Sequence, residues 1–193
     1  MKNLSVSVEP GNHLLIMGPS GSGKTAILRA IFGIWEVEKG GVTLCQDYIV
    51  IPAVPVFSNG SLLDQIAYPR KITESAEVQE QLDSIIEKLG LQQLVLRMDG
   101  YFTFHFLSVW ITRMSPGEAQ RIMLGRVLFH KPKFVFLDEA CNKISVKRED
   151  KLLKELKGLG ITIIKITNHR RSLVEFKQLL ELDGKGGYTL IKL

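Results

Sequence analysis

The sequence has 193 residues, enough for one domain, or one core with a small inserted lobe. Its 45% hydrophobic content and mixed charge exclude a disordered or low-complexity chain, and a net charge of +5 suits phosphate ligands or an acidic membrane surface. The basic residues are scattered rather than run together, which argues against a nucleic-acid partner.

In chain order, HLLIMG (His13–Gly18) is an apolar run closed by glycine, the pattern of a buried strand. It leads into GPSGSGKT, which fits G-x-x-x-x-G-K-[ST] with a strand before it and a helix, Lys24–Phe32, after it. Glycines in such a loop let successive N–H groups point inward at phosphate oxygens, and the following helix adds its positive N-terminal end. Gly18, Pro19, Ser20, Gly21, Ser22, Gly23, Lys24 and Thr25 are therefore the expected phosphate-binding residues. Lys24 is expected to reach the β- and γ-phosphates and the Thr25 hydroxyl to ligate Mg²⁺.

VTLC (residues 42–45) and YIVIP (residues 48–52) are expected as short strands, followed by a loop from Pro52 to Gly60. From Glu74 to Leu89, Val78, Leu82, Ile85, Ile86 and Leu89 recur at helical spacing. LQQLVLRM predicts a second helix, and Asp99 to Arg113 a less regular stretch. MSPGEAQR (Met114–Arg121) follows. Ser115 fits an N-cap, Pro116 the first helical position and Glu118 the third, which together spell a capping box. A helix start with a serine hydroxyl and free N–H groups is also an anion site. Ser115, Gly117 and Glu118 are accordingly expected to bind nucleotide, and since the chain has its own phosphate loop, the ligand in question is another molecule's.

KFVFLDE predicts a buried strand closed by two carboxylates. Asp138, at the carboxyl end of a parallel strand, is expected to hold Mg²⁺, and Glu139 to polarise an attacking water as general base. A helix over Lys147–Leu156, a strand ITIIKIT and a short helix RSLVEF come next. His169, just past that strand, is expected to contact the γ-phosphate and hold the water in line with Glu139. QLLEL and YTLIKL read as paired strands around the turn DGKGG.

Strand–helix alternation predicts an α/β fold, a parallel sheet flanked by helices. The core is expected over residues 1–60 and 131–193, with an inserted helical subdomain over about 61–130 and small antiparallel elements. Cys45 and Cys141 form no CxxC and fit a reduced, cytosol-facing domain. No apolar run approaches the roughly 20 residues that cross a bilayer, and the first residues carry no apolar signal-peptide core, so this stretch is expected to be soluble.

GPSGSGKT, MSPGEAQR, FVFLDEA and ITNHR, in this order, resemble the nucleotide-binding domain of an ATP-binding cassette (ABC) transporter, a P-loop NTPase fold. MSPGE stands where that family carries its signature. The resemblance implies Mg²⁺ and ATP as cofactors, ATP hydrolysis coupled to transport, and a second ABC domain packed head to tail. Each ATP then lies between the phosphate loop of one domain and the signature of the other, and transmembrane domains are the further partners. GIWEVEKGGV, IPAVPVFSNGSLLDQIAYP and LLELDGKGGYTLIKL resemble subfamily D, the peroxisomal and lysosomal half-transporters for fatty acyl-CoA or cobalamin, which implies the cytosolic face of such an organelle.

Three positions depart from the family pattern. Ala53 stands where the family has a glutamine that touches Mg²⁺ and water, Pro116 replaces a signature glycine, and Ser145 stands where an aspartate is usual. Only 17 residues precede Gly18. The family's adenine-stacking aromatic, its N-terminal edge strands and its membrane region are therefore expected outside this sequence, which reads as a fragment, a truncated product or an isolated domain. A degenerate ATP-binding module that regulates or pairs with an active partner is the alternative, as is a soluble ABC protein without a transport role. A P-loop kinase would leave MSPGEAQR and His169 unexplained.

Overall fold

A computed structural model of the chain describes residues 4–168 and 176–193. In order, its elements are β1 (Leu14–Met17), α1 (Lys24–Ile31), β2 (Tyr48–Ile51), α2 (Leu62–Ala67), α3 (Ala76–Leu89), α4 (Gln92–Arg97), α5 (Leu107–Arg113), α6 (Pro116–His130), β3 (Phe134–Asp138), α7 (Val146–Gly158), β4 (Thr162–Thr167), β5 (Gln178–Leu182) and β6 (Tyr188–Lys192). The chain divides into two compact units. One is Met1–Val50, Pro132–Glu139 and Gly160–Leu193; the other is Ile51–Lys131 and Ala140–Leu159.

In the first unit the strands form one sheet in the order β2-β3-β4-β1-β5-β6. β1 runs parallel to β4 on one side and to β5 on the other, and β4 runs parallel to β3. β5 and β6 pair antiparallel across the turn at residues 183–187. The sheet is thus mostly parallel with a small antiparallel element, as the alternation predicts. β1 and β4 are buried along their whole length; β1 is a continuous apolar run, whereas β4 sets Ile163, Ile164 and Ile166 among the buried Thr162, Lys165 and Thr167. Leu14, Ile16, Ile164, Ile166 and Leu180 pack with Leu28 of α1 in one core. Phe32 closes that core, its ring 5.4 Å from Tyr48 and 4.9 Å from Phe136.

VTLC is not a strand: residues 41–45 have no regular structure. Leu44 packs against the core, but Val42 is 47% exposed. Residues that favour strands form one only beside a ladder that accepts their hydrogen bonds, and no described strand pairs with them. The short helix expected over RSLVEF lies, apart from Phe176, outside the described residues.

The second unit is helical, and α6 is its centre. From Ile122 to Leu128 every α6 residue is buried, so this helix is enclosed rather than amphipathic. It packs against α2 and α3. Gly125 lets them approach: a Cβ there would sit 3.2 Å from Leu89 Cδ1 and 3.5 Å from Ile66 Cγ1. α3 buries Leu82, Ile85, Ile86 and Leu89, starts at the Ser75 cap and stops at Gly90, whose φ of 63° suits glycine. Two helices depart from the sequence reading. α2 begins with a capping box of Ser61 and Asp64. α5 occupies the end of the stretch expected to be irregular and exists to bury Trp110, which is 0% exposed, with Nε1 donating to Gly60 O at 3.1 Å. Among the described residues no helix is long and apolar enough to cross a membrane.

Trp110→Ala is expected to cost about 3–5 kcal/mol through the cavity it leaves. Trp110→Phe, which keeps most of the volume and loses the bond to Gly60, should cost less. Urea unfolding of the two variants measures the difference.

Candidate functional site

β1 ends at Met17, and Gly18 starts a loop whose glycines do different jobs. A Cβ on Gly18 would meet Ser22 Oγ at 2.6 Å and Leu182 Cβ and O at 2.9 Å, so that position is closed to any side chain. Gly21 and Gly23 have open space but φ of 81° and 99°, the left-handed region that side chains disfavour. Gly23 caps α1 without a side-chain bond, and the first turn of α1 holds no acidic residue. The positive end of the helix is therefore unopposed from within its own first turn.

Lys24 is the first residue of α1 and is 7% exposed. Its ammonium donates to Gly18 O at 2.7 Å and Pro19 O at 2.8 Å. Two of its three donors hold the loop in shape. Burial pushes its pKa down, while the nearby Glu139 and Asp138 carboxylates oppose that shift. Thr25, next along, is exposed.

The acidic strand end faces the same lysine. Burial pushes the Asp138 carboxyl above its ordinary range, Glu139 adds to the rise, and Lys24 counters it. Glu139 leaves β3 with a φ of 50°, a left-handed backbone that costs a non-glycine residue on the order of 1–3 kcal/mol. Its N–H donates to Ile166 O of β4 at 3.0 Å, which holds the turn. Ser20, Gly21, Gly23, Lys24, Thr25, Ala26, Glu139 and Asn168 line one cavity of about 230 Å³. A cationic loop and a general-base candidate therefore share one space.

At the start of α6 the capping box is formed as spelled. Ser115 Oγ accepts from Glu118 N–H at 3.3 Å and Glu118 Oε2 accepts from Ser115 N–H at 2.9 Å. The Ser115 hydroxyl also donates to Glu118 Oε2 at 2.9 Å, and Arg97 holds Oε1 at 2.6 Å. Burial would raise the Glu118 pKa, but Ser115 and Arg97 hold it below the ordinary range. Its carboxylate is fully engaged in shaping the helix start. Gly117 meets the backbone of residue 143 so closely that a Cβ would lie 2.9 Å from Lys143 O.

The phosphate-loop residues, Lys24, Thr25 and Glu139 thus come together in the first unit, with Asp138 within electrostatic reach of Lys24. Ser115, Gly117 and Glu118 come together in the second. His169 lies outside the described residues. Two residues were passed over. Gln120, 2% exposed, donates to Asn142 Oδ1 at 2.7 Å and accepts from Lys143 N–H at 2.8 Å, tying α6 to residues 142–143. A glutamine within MSPGEAQR was visible in the sequence; its burial was not. Asn168 lines the cavity; its place after the strand ITIIKIT was visible, its neighbours were not.

The family described as ABC transporter matches residues 1–142. The chain is 37% identical to an uncharacterized ABC transporter ATP-binding protein of Synechocystis over 98% of its length and 28% of the relative's. It is 34% identical to ATP-binding cassette sub-family D member 1 of Drosophila melanogaster, over 98% of this chain and 27% of that one. It is 33% identical to the lysosomal cobalamin transporter ABCD4 of Homo sapiens, over 100% of this chain and 33% of that one. The chain therefore spans about a third or less of the length of these relatives. A bacterial Atm1-family ABC exporter solved with ATP bound matches with a TM-score of 0.77 at 25% identity, over 95% of this chain and 34% of that one.

Two outcomes follow from this geometry. A carboxyl whose pKa rises on folding costs stability above that pKa, and the cost is lifted as pH falls through it. Asp138→Asn is expected to raise the melting temperature of the ligand-free chain at pH 7, with the gain shrinking on acidification through the raised carboxyl range. Gly117→Ala is expected to lose about 1–3 kcal/mol by overpacking against Lys143 O. Gly158→Ala, which has open space and an ordinary helical backbone, should instead gain roughly 0.5–1 kcal/mol; thermal unfolding of both reads the opposite signs.

Proposed function

The chain belongs to the ABC transporter family and spans its ATP-binding domain, and on that premise we propose that it binds Mg-ATP and hydrolyses it to power transport. The observation that carries this reading is that one cavity is lined by Ser20, Gly21 and Gly23 of the loop together with Lys24, Thr25 and Glu139. Loop N–H groups and the start of α1 bind the phosphates. Lys24 meets the charge that spreads over the terminal phosphoryl oxygens during in-line attack. Glu139 accepts a proton from the attacking water as the new O–P bond forms. The bond from the γ-phosphorus to the bridging oxygen breaks, and its electron pair leaves with ADP. His169 is assigned to hold that water in line.

The Thr25 hydroxyl and Asp138 carboxylate are hard oxygen donors of the kind Mg²⁺ takes beside phosphate oxygens and water. Among the described residues no group of three or more His, Cys, Asp or Glu that could hold a metal ion is present. When bound, Mg²⁺ would neutralise charge on the β- and γ-phosphates.

Ser115 and Gly117 of a second such domain, packed head to tail, complete the site in this reading. Membrane domains are the further partner, at the cytosolic face of an organelle membrane. The likeness to sub-family D members, one of them named a lysosomal cobalamin transporter, supports a peroxisomal or lysosomal setting and fatty acyl-CoA or cobalamin as the transported class. Ala53, with no polar atom to offer, favours a second reading: a degenerate module that binds ATP and regulates or pairs with an active partner.

Phosphate release from Mg-ATP by the purified chain, above a Lys24→Ala control, is the outcome expected of the first reading; binding without release would leave the second. Glu139→Gln is expected to keep ATP affinity and lower release by about 10²–10⁴-fold, the usual contribution of a general base. Unchanged release would remove Glu139 from that role.

A further inference from the structure

The β5–β6 hairpin meets the phosphate loop away from the cavity. β5 runs parallel to β1 with Met17 opposite Glu181, so Leu182 arrives level with Gly18 and both segments leave the sheet at the same edge. The approach is close. A Cβ on Gly18 would lie 2.9 Å from both the Cβ and the O of Leu182. At the turn itself, a Cβ on Gly184 would lie 3.2 Å from Pro19 Cγ. The hairpin thus packs on the first two residues of the loop, and neither Leu182 nor Gly184 lines the cavity.

Both partners in this contact are held in shape. Asp183 Oδ1 accepts from Lys185 N–H at 2.7 Å and from Gly187 N–H at 2.9 Å, and Asp183 N–H donates to Gly187 O at 3.2 Å. An aspartate that bonds the backbone ahead of it in this way closes a turn into one conformation. In the loop, the Lys24 ammonium donates to Gly18 O and Pro19 O, and Ser22 N–H donates to Pro19 O at 3.1 Å. Residues 18 and 19 are therefore held twice, by the lysine through their carbonyls and by the hairpin through packing. Any shift of these two residues moves the carbonyls that locate the ammonium, and hydrogen bonds weaken steeply as distance and angle depart from their optimum.

We propose that the β5–β6 hairpin is a backstop for the phosphate loop, and that Gly184 is a positioning residue for Lys24. Packed bare against Pro19, Gly184 sets where residues 18 and 19, and with them the ammonium, meet a nucleotide's phosphates. This rests on the nucleotide-site reading above. Gly184 acts through Pro19 and not by contact with the nucleotide.

The test compares two glycines of one turn in the full-length chain. Gly184 and Gly186 have φ of 75° and 95°, so alanine strains the backbone at either, but a Cβ on Gly186 meets nothing within 4 Å. Thermal unfolding is expected to show a similar loss of melting temperature for Gly184→Ala and Gly186→Ala. Calorimetry with the Mg²⁺ complex of the non-hydrolysable β,γ-imido analogue of ATP is expected to separate them: Gly184→Ala weakens binding about fivefold or more, and Gly186→Ala stays within about twofold. Pro19→Ala removes the Cγ that the new methyl meets, so adding Gly184→Ala to Pro19→Ala is expected to change affinity by less than about twofold, the non-additivity of residues in contact. Asp183→Ala deletes the two bonds that close the turn and brings no atom toward Pro19; it is expected to weaken the analogue about threefold, and it carries the test alone if Gly184→Ala does not fold. Equal loss in Gly184→Ala and Gly186→Ala, loss in neither, or an unchanged affinity in Asp183→Ala overturns the backstop while leaving the nucleotide site standing. Failure of the unsubstituted chain to bind the analogue, with Lys24→Ala indistinguishable from it, overturns the site reading and the backstop together.

Discussion

Parallel pairing of β3, β4 and β1 is the constraint on which the site depends. Parallel strands all leave the sheet at the same edge, so three segments far apart in the chain arrive side by side without any contact between their side chains being required first. The phosphate loop leaves β1, the two carboxylates leave β3, and Asn168 leaves β4. The register is supported by the burial of β1 and β4 along their whole length. A slip of one residue would turn every side chain over and scatter the cavity lining.

Within that frame the site is arranged for a polyanion. Beside the Lys24 ammonium, part of its positive potential comes from the fixed dipole at the start of α1, which needs little reorganisation when charge moves. Lys24 is kept partly desolvated and tethered to two loop carbonyls, so it shapes the loop as well as charging it. The acidic pair opposite is held at some cost: Asp138 is pushed toward its neutral form, and Glu139 sits on a left-handed backbone. Such costs are common where a chain keeps groups poised for a ligand rather than for its own stability.

The second unit uses the same economy of contacts. Ser115 and Glu118 start α6, Arg97 secures the glutamate, and Gln120 together with the bare Cα of Gly117 draws residues 142–143 against the helix start. A proline at the first helical position loses no bond there, because that N–H has no partner inside the helix. The start of α6 is thus held by several bonds and one close backbone approach at once.

Much of this was legible in the residues themselves. GPSGSGKT, the capping box of MSPGEAQR, the apolar strands ending in Asp138 and the helix with Leu82, Ile85, Ile86 and Leu89 on one face all depend on neighbours within a few positions, and local sterics and hydrogen bonding decide those. The sequence alone therefore determined the glycine-rich loop, the acidic pair and most helix starts. Tertiary structure decided the rest. VTLC has strand-like residues yet forms no strand, because no described strand lies beside it; α5 is a helix because Trp110 must be buried beneath Gly60; Asn168 lines the cavity only because β4 runs between β3 and β1. Each of these turns on partners distant in the chain, and pairing across such distances is set by packing of the whole core, which no local pattern encodes.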